Sequence, residues 1–263
     1  MKKILYFITV CTVLLAACKK NGMTVENTEY EKIAPGDPKY SYLKFLNVTP
    51  GSPVSNYYLD GVKFSSALSS SGIENAGYAY NGLYPDLGYA VTSPGTHKVT
   101  ANIVPSATVD KGLEVLNTTI APQAGKYYTI FTTGQYSTTN KSIGPILVVE
   151  DTKPPLDTSK LAVRFINLYN GGPNLDFIRN STGVKLASNV AYGQVSPWTE
   201  ITNPGPGAAP IILYTLNNAT TNLPLISNIS GTLTKGRAYT IYIRGVFGNA
   251  TYPATFGTYT TFY

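Results

Sequence analysis

The chain has 263 residues with a formal net charge of +6, 43% hydrophobic residues and only 13% charged residues. Enough apolar side chains are present for buried cores, which excludes an intrinsically disordered chain. The bases are scattered rather than clustered, which excludes a nucleic-acid-binding footprint, so no nucleic-acid partner is expected. Tyr, Thr, Gly and Pro are abundant, and no sustained helical periodicity follows the N-terminal segment, which favours strands and turns.

The N-terminal segment has the pattern of an export signal. Lys2 and Lys3 precede an apolar stretch that is too short to span a bilayer comfortably and that ends in LAAC at 15–18. This ending is similar to a bacterial lipobox, and two or three acyl chains on its cysteine would give stable anchoring. We predict a signal peptide over residues 1–17, lipid attachment at Cys18 and an outer-membrane location, with the membrane face left open. The alternative is an ordinary secretory signal that happens to contain a cysteine.

Cysteine usage agrees with this prediction. The two cysteines are Cys11 and Cys18, and Cys11 would be removed with the signal peptide. The mature chain would therefore have no disulfide and no thiolate chemistry, and packing alone would hold it together. Residues 18–39 are polar and contain a Pro-Gly-Asp-Pro turn, so we interpret them as a lipidated tether.

Two strand-like segments occur twice in the remaining chain. Residues 42–48 and 162–168 share a base-Phe-aliphatic-Asn pattern, and each is followed by a proline-containing turn. Residues 125–134 and 236–245 both place a glycine and a base before a Tyr-Thr-Ile-aromatic core, and a second glycine closes each segment. Aromatic and β-branched residues bounded by glycines are typical of strands. Duplicated strands predict a duplicated domain.

The other predicted strands keep the same order in both copies. They are residues 55–59, 96–104 and 146–149 in the first copy, and residues 175–179, 209–216 and 255–263 in the second. Short strands separated by turns predict an all-β fold with two tandem immunoglobulin-like β-sandwich domains, at residues 40–149 and 161–263. Residues 150–160, with charges and paired prolines, are predicted to be a stiff linker or, alternatively, a strap packed between the domains.

Together these motifs resemble the repeat known as domain of unknown function 4397. The resemblance rests on the two duplicated segments, the Asp60-Gly61 hairpin and the Pro-Gly pairs at 94–95 and 204–205. It covers most of residues 40–263. It implies β-sandwiches in exported bacterial proteins, often lipoproteins and often in tandem, and it implies no activity. The second copy departs from the pattern at Asn180–Gly183, where a longer turn replaces the Asp-Gly hairpin.

Candidate catalytic and metal-ligating groups are few. His97 is the only histidine, and strand alternation predicts an exposed position for it. It has no clustered acids or cysteines beside it, and no Gly-x-Ser-x-Gly elbow accompanies it. We interpret Asp151 and the other linker acids as solvated charge, and Asp60 and Asp86 as turn residues. We therefore predict a non-enzymatic protein with no catalytic residue, no metal and no cofactor.

The tyrosine surplus has two interpretations. Tyr84 and Trp198 lie next to matching prolines, and Tyr80 and Tyr192 also correspond in the two copies, so these four residues are candidates for a ligand-binding surface. The alternative is ordinary sandwich core. The leading functional hypothesis is a surface spacer or binding module. The alternatives are a carbohydrate-binding accessory protein for glycan uptake and an adhesin or fimbrial-type subunit. Expected partners are the membrane, through the lipid, and a glycan or protein ligand, with the oligomeric state left open.

Overall fold

The computed structural model describes residues 31–263, and the chain falls into two units, Met1–Asp37 and Pro38–Tyr263. In the described part of the first unit, the backbone N–H of Asp37 donates to the carbonyl of Ala34 at 3.1 Å and closes a turn. The second unit contains the strands. Within 31–263 there is no helix that could span a bilayer. The predicted signal peptide, Cys18 and most of the tether lie outside the described residues.

The first sandwich consists of two sheets with a core between them. One sheet has the order β4–β1–β8–β9, with β5 also paired to β1, and the other has the order β3–β2–β6–β7. Phe45 stacks on Tyr57 with ring centroids 4.7 Å apart, and Val99 and Ile130 are fully buried beside them. The strands are β1 (Ser41–Asn47), β2 (Ser55–Leu59), β3 (Val62–Lys63), β4 (Leu83–Tyr84), β5 (Ala90–Thr92), β6 (His97–Ile103), β7 (Glu114–Ile120), β8 (Tyr127–Thr132) and β9 (Ile146–Glu150).

The second sandwich repeats this arrangement. Its sheets have the orders β13–β10–β16–β17 and β12–β11–β14–β15, so each of its strands has a counterpart in the first sandwich, with β13 at the place of β5. Phe165 stacks on Phe177 at 5.2 Å in the core. The predicted all-β, sandwich-type fold is confirmed for the described residues. The strands are β10 (Leu161–Asn170), β11 (Leu175–Arg179), β12 (Val184–Val190), β13 (Thr199–Ile201), β14 (Ile211–Asn218), β15 (Pro224–Thr232), β16 (Ala238–Val246) and β17 (Thr255–Phe262).

The duplicated sequence segments form the central strand pair of each sandwich. β1 runs parallel to β8 and β10 runs parallel to β16, whereas the other strand pairs of the described chain are antiparallel. The registers match, because Lys44 lies opposite Thr129 and Arg164 lies opposite Thr240. The four strands predicted from the repeats are therefore confirmed, and each copy brings its two segments together in the same way.

The shared Phe and Asn of the base-Phe-aliphatic-Asn motif have structural roles. Phe45 and Phe165 face the cores of their own sandwiches. Asn47 and Asn167 are fully buried, and the Oδ1 of each accepts a hydrogen bond of 3.1 Å from the backbone N–H two residues further on. In the second copy the Nδ2 of Asn167 also donates to the Pro173 carbonyl at 3.1 Å, so the buried amide holds the turn that follows the strand.

The two sandwiches pack through the outer faces of the sheets that contain β1 and β10. We call this shared layer the junction. β1 is buried along its whole length, and only the last residue of β10 is partly exposed. Both strands are covered on both faces, like the strands of fully buried sheets. The apolar part of the junction consists of Leu46, Val48, Phe131 and Val149 from the first sandwich and Ile166, Leu168, Tyr242 and Tyr259 from the second.

The segment after β9 packs along the junction. The backbone N–H of Asp151 donates to the carbonyl of Tyr127 at 2.7 Å, and Leu156 packs against an apolar cluster that includes Phe262. These contacts place parts of the segment against side chains and backbone of both sandwiches. The interpretation of Asp151 as solvated charge is wrong, because this side chain is only 1% exposed. It is buried because a base from the second sandwich pairs with it.

Candidate functional site

A group of charged and hydroxyl side chains lies inside the junction. Side chains alternate between the faces of a strand, so Lys44 on β1 and Arg164 on β10 both point away from their own cores. They hold equivalent positions in the two copies and are 0% and 4% exposed. We call this group the junction cluster, and it consists of Lys44, Tyr89, Thr129, Asp151, Arg164, Thr240 and Tyr259.

Asp151 is the acceptor at the centre of the junction cluster. Its Oδ1 forms an ion pair with Nη2 of Arg164. Its Oδ2 accepts hydrogen bonds from the Tyr89 hydroxyl at 2.9 Å and the Thr129 hydroxyl at 2.6 Å. Arg164 Nε in turn donates to the Thr240 hydroxyl at 2.9 Å. Buried charges are tolerated when they are paired and hydrogen-bonded, and these contacts meet that condition across the two sandwiches.

Lys44 is the second base of the cluster and is less well compensated. Its Nζ donates to the carbonyl of Pro85 at 2.8 Å and lies 5.1 Å from the centroid of the Tyr89 ring. Burial lowers the pKa of Lys44 to about 8, although the charge of Asp151 opposes this shift. Burial acts in the same direction on Arg164, but there the charge and hydrogen bond of Asp151, together with Tyr259 and Tyr89, outweigh burial and raise the pKa. Two bases thus share one carboxylate.

Tyr84 and Trp198, the leading candidates for a binding surface, lie in separate apolar clusters. Tyr84 is buried in the core of the first sandwich, where its ring meets Tyr78 edge-on at 5.5 Å. Trp198 is half-buried at the junction and its Nε1 donates to the Thr152 carbonyl at 2.8 Å. The guanidinium of Arg164 lies 4.6 Å from the Trp198 ring. The structure therefore does not bring these two side chains together.

Tyr80 and Tyr192, the other two candidates, both contact the opposite sandwich. The Tyr80 ring meets Tyr252 edge-on at 5.9 Å, and the Arg244 guanidinium lies 5.5 Å from it. The Tyr192 hydroxyl accepts a hydrogen bond from the backbone N–H of Gly134 at 3.2 Å. These contacts give both tyrosines a role in joining the sandwiches. A role in ligand binding stays a prediction for all four aromatic residues.

His97 belongs to a hydrogen-bonded clip between two turns of the first sandwich. It is 8% exposed, so the prediction of an exposed position is wrong. The inward and outward positions of β6 are the reverse of the predicted ones: His97 shares the inward face with Val99, and Lys98 faces outward. His97 Nδ1 lies 2.7 Å from Asp60 Oδ2, and Nε2 lies 2.9 Å from the Ser93 carbonyl.

The clip favours the charged form of the histidine. A carboxylate and a carbonyl can only accept, so both ring nitrogens donate when His97 is protonated. Burial by itself lowers the pKa of His97, but the hydrogen bonds to Asp60 and Ser93 raise it above its usual value. The hydrogen bond to His97 lowers the pKa of Asp60. Across residues 31–263, no group of three or more His, Cys, Asp or Glu side chains is arranged to hold a metal ion.

Comparison with known proteins identifies a family. The model described as "Domain of unknown function (DUF4397)" matches residues 41–178, which is more than half of the chain. No curated protein matches the sequence.

Solved structures give only distant likenesses. The carbohydrate-binding module CBMbc (family CBM26) of Eubacterium rectale Amy13K, in complex with maltoheptaose, is 12% identical with a TM-score of 0.24, over 83% of this chain and 96% of that chain. A candidate cell adhesion protein from Bacteroides eggerthii is 9% identical with a TM-score of 0.19, over 88% and 98% of the two chains. Another from Bacteroides fragilis is 13% identical with a TM-score of 0.20, over 82% and 97%.

Proposed function

We propose that this chain, which belongs to the DUF4397 family, is a non-enzymatic, lipid-anchored envelope protein whose two sandwiches act together as one rigid spacer or binding module. The family description assigns no activity. The observation that carries the proposal is the junction cluster, in which Asp151 is buried against a base of the opposite sandwich. A spacer needs a fixed relation between its parts, and this contact supplies one.

Separating the sandwiches would be costly for two reasons. It would leave the charges of Asp151 and Arg164 without their partners, and breaking a buried ion pair by removing one partner typically costs about 3–5 kcal/mol. It would also expose the apolar layer around Leu46 and Ile166. A large apolar interface restricts the domain motion that a small polar interface permits. The spacer therefore behaves as a single body.

The anchor and location complete the proposal. The sequence at 15–18 and the expected lipid on Cys18 favour attachment to the outer membrane. Metabolic labelling with radioactive palmitate tests the anchor in bacterial cells. We expect the wild-type chain to be labelled and to sediment with outer membranes. A Cys18→Ser variant would lose both properties, and an equal label on this variant would contradict lipidation at Cys18.

The rigidity can be measured by electron–electron double resonance. The predicted mature chain has no cysteine after residue 18, so spin labels can be placed at Thr119→Cys and Ser230→Cys, two exposed positions on the outer sheets. We expect a single narrow distance distribution for this labelled pair. Adding Asp151→Asn, which keeps the side-chain shape but removes the charge, would broaden it. A broad distribution without Asp151→Asn would refute the rigid spacer.

The two alternative functions have direct tests. A glycan array probed with the purified chain tests the accessory protein for glycan uptake, and binding that is lost on changing Trp198 or Tyr84 would favour it. Size-exclusion chromatography over a range of concentrations tests the adhesin or fimbrial-type subunit. A chain that remains monomeric at every concentration would argue against polymerisation through a sheet edge.

A further inference from the structure

The first sandwich contains a hairpin outside its sheets that the second sandwich does not have. Residues 64–82 leave the sheet after β3, and two backbone hydrogen bonds of 2.8 Å close a small hairpin over residues 67–75. Glu74 ties the hairpin to the sandwich, because its Oε1 accepts hydrogen bonds from Lys63 Nζ at 2.6 Å and the Ser66 hydroxyl at 2.7 Å. At the same edge of the second sandwich, the chain instead forms the seven-residue strand β12.

The hairpin forms one wall of a cavity of about 530 Å³, which we call the hairpin pocket. Leu68 and Ile73 lie on its rim and are 71% and 69% exposed. Neighbouring aliphatic side chains left this exposed are typical of a contact surface. The lining residues that bear on its chemistry are Leu68, Ile73, Glu74, Tyr78 and Asp86.

The charged groups of the pocket are acidic, although the chain as a whole is basic. Glu74 is paired with Lys63, whereas Asp86 is exposed and forms no ion pair with another described residue. Burial, followed by Tyr84 and then by the negative charges of Asp86 and Glu74, raises the pKa of Tyr78 to about 12. Both carboxylates therefore act on the pocket wall. The pocket combines an aliphatic rim with an exposed carboxylate that forms no ion pair with a described residue.

We propose that the hairpin pocket binds an extended peptide segment of a protein partner, in which an apolar side chain stands beside a lysine or arginine. The apolar side chain fills the space between Leu68 and Ile73, and the base faces Asp86. The rim is aliphatic and offers no exposed aromatic face on which a sugar ring could stack, which favours a peptide over a glycan. The proposal goes beyond the spacer function and does not depend on it, because the pocket belongs to the first sandwich alone.

A positional-scanning hexapeptide library, measured by fluorescence anisotropy against the full chain in lipid nanodiscs, tests this assignment. We expect the tightest pools to place Leu, Ile, Met or Phe next to Lys or Arg. Their binding would weaken with added salt, because exposed charge pairs are screened. Tightest pools rich in Asp and Glu would overturn the proposal, as would a library in which no pool binds.

Variants assign the binding to the pocket. Because Leu68 and Ile73 are exposed, Leu68→Ser with Ile73→Ser should leave the fold intact and weaken the best pool at least about tenfold, as expected for loss of apolar anchors. Asp86→Asn should weaken it about threefold, the scale of an exposed charge pair.

The second sandwich and the linker provide matched controls. Ile211 and Leu213 are also exposed aliphatics, and Asp157 is an exposed acid, so Ile211→Ser with Leu213→Ser and the separate Asp157→Asn should leave peptide binding unchanged. Equal losses in the control and pocket variants would refute the site. Binding of a glycan panel that is lost in the pocket variants would refute the peptide assignment. Neither result would affect the distance measurement across the junction, so failure of the spacer and failure of the pocket are distinguishable.

Discussion

The two sandwiches share one strand order and one position for a buried base, yet they use that position differently. Arg164 binds the Asp151 carboxylate and the Thr240 hydroxyl, whereas Lys44 donates to a backbone carbonyl beside an aromatic ring. A guanidinium presents several donors in a fixed plane, and an ammonium is a compact point charge. The second sandwich therefore supplies the ion pair of the junction, and the first sandwich buries a charge with less compensation.

A second difference lies at the outer edge. β12 pairs with β11 over most of its length, and Lys185 pairs there with the buried Asp176 at 2.6 Å. At the corresponding edge of the first sandwich, β3 is only two residues long, and the chain then forms the hairpin at 67–75. The comparison teaches that the positions shared by both copies build the cores and the junction, while the segment that differs forms a surface.

Among the substitutions that test this comparison, the loss of Arg164 should have the largest effect on stability. Arg164→Met leaves Asp151 buried without its ion pair and should lower the free energy of unfolding by about 3–5 kcal/mol. Urea denaturation followed by fluorescence of Trp198, the only tryptophan, measures the change. Arg237→Met is the matched control, because Arg237 is partly exposed and stacks on the Tyr263 ring at 4.9 Å. Equal losses of stability in Arg164→Met and Arg237→Met would contradict a larger contribution from the buried ion pair.

Replacing the other base, Lys44, should change the free energy of unfolding in the opposite direction. Lys44→Met removes a buried charge and keeps the Arg164–Asp151 pair, so we expect the free energy of unfolding at pH 7 to increase by roughly 1–2 kcal/mol. Chemical denaturation of the two proteins side by side measures this difference. A clear loss of stability in Lys44→Met would show that the two bases are equivalent after all.

The pH dependence of stability in the wild type and in Lys44→Met tests the role of Lys44 more sharply. The pKa of Lys44 is about 8 in the folded chain and below its unfolded value, so the unfolded chain binds the extra proton between about pH 8 and 10. Wild-type stability should therefore gain from Lys44 as pH rises through this window, and Lys44→Met should lack the gain. Above about pH 10 the unfolded tyrosines ionise and stability falls, because burial raises the pKa of Tyr57 and Tyr259 in the folded chain.

The smallest expected effect concerns the His97–Asp60 clip of the first sandwich. The raised pKa of His97 stabilises the fold below about pH 6.5 and this contribution is lost as pH rises. The lowered pKa of Asp60 stabilises it above about pH 4 and this contribution is lost as pH falls. Asp60→Asn should therefore lower the melting temperature most between these values. Asp110→Asn is the control, because it removes an exposed ion pair with Lys141 that contains no histidine. The loss of melting temperature in Asp110→Asn should stay the same between pH 6 and 8, whereas the loss in Asp60→Asn should shrink. A pH-independent deficit in Asp60→Asn would contradict the clip.

The strands that could be predicted from sequence are those whose side chains identify them locally. β2 and β11 match the predicted residues 55–59 and 175–179, and the central strands carry aromatic and β-branched runs between glycines. β7 and β15 were missed because Asn, Thr and Ser dominate their exposed positions and no aromatic residue marks them. Edge strands of this kind are held by pairing with a neighbour, which a local pattern does not reveal.

The junction cluster could not be predicted because its contacts join distant parts of the chain. The base of the repeated motif was visible at Lys44 and Arg164, but its acceptor, Asp151, stands in a segment whose prolines and charges resemble an exposed linker. The available signal was that apolar residues occupy both alternating faces of β1 and β10, which indicates strands covered on both faces. Such strands need a second apolar layer, and the many tyrosines supply part of it, including Tyr242 and Tyr259.

The parallel pairing of β1 with β8 also has a kinetic consequence. The hydrogen bond between the side chains of Asn47 and Thr132 joins residues 85 positions apart, and the one between Arg164 and Thr240 joins residues 76 apart. Contacts this remote in sequence slow folding to the range of milliseconds to seconds. Neither sandwich can complete its central pair until most of its own length has been synthesised. If the chain is exported as proposed, this delay would keep it open while it is threaded through the membrane, before it closes on the far side.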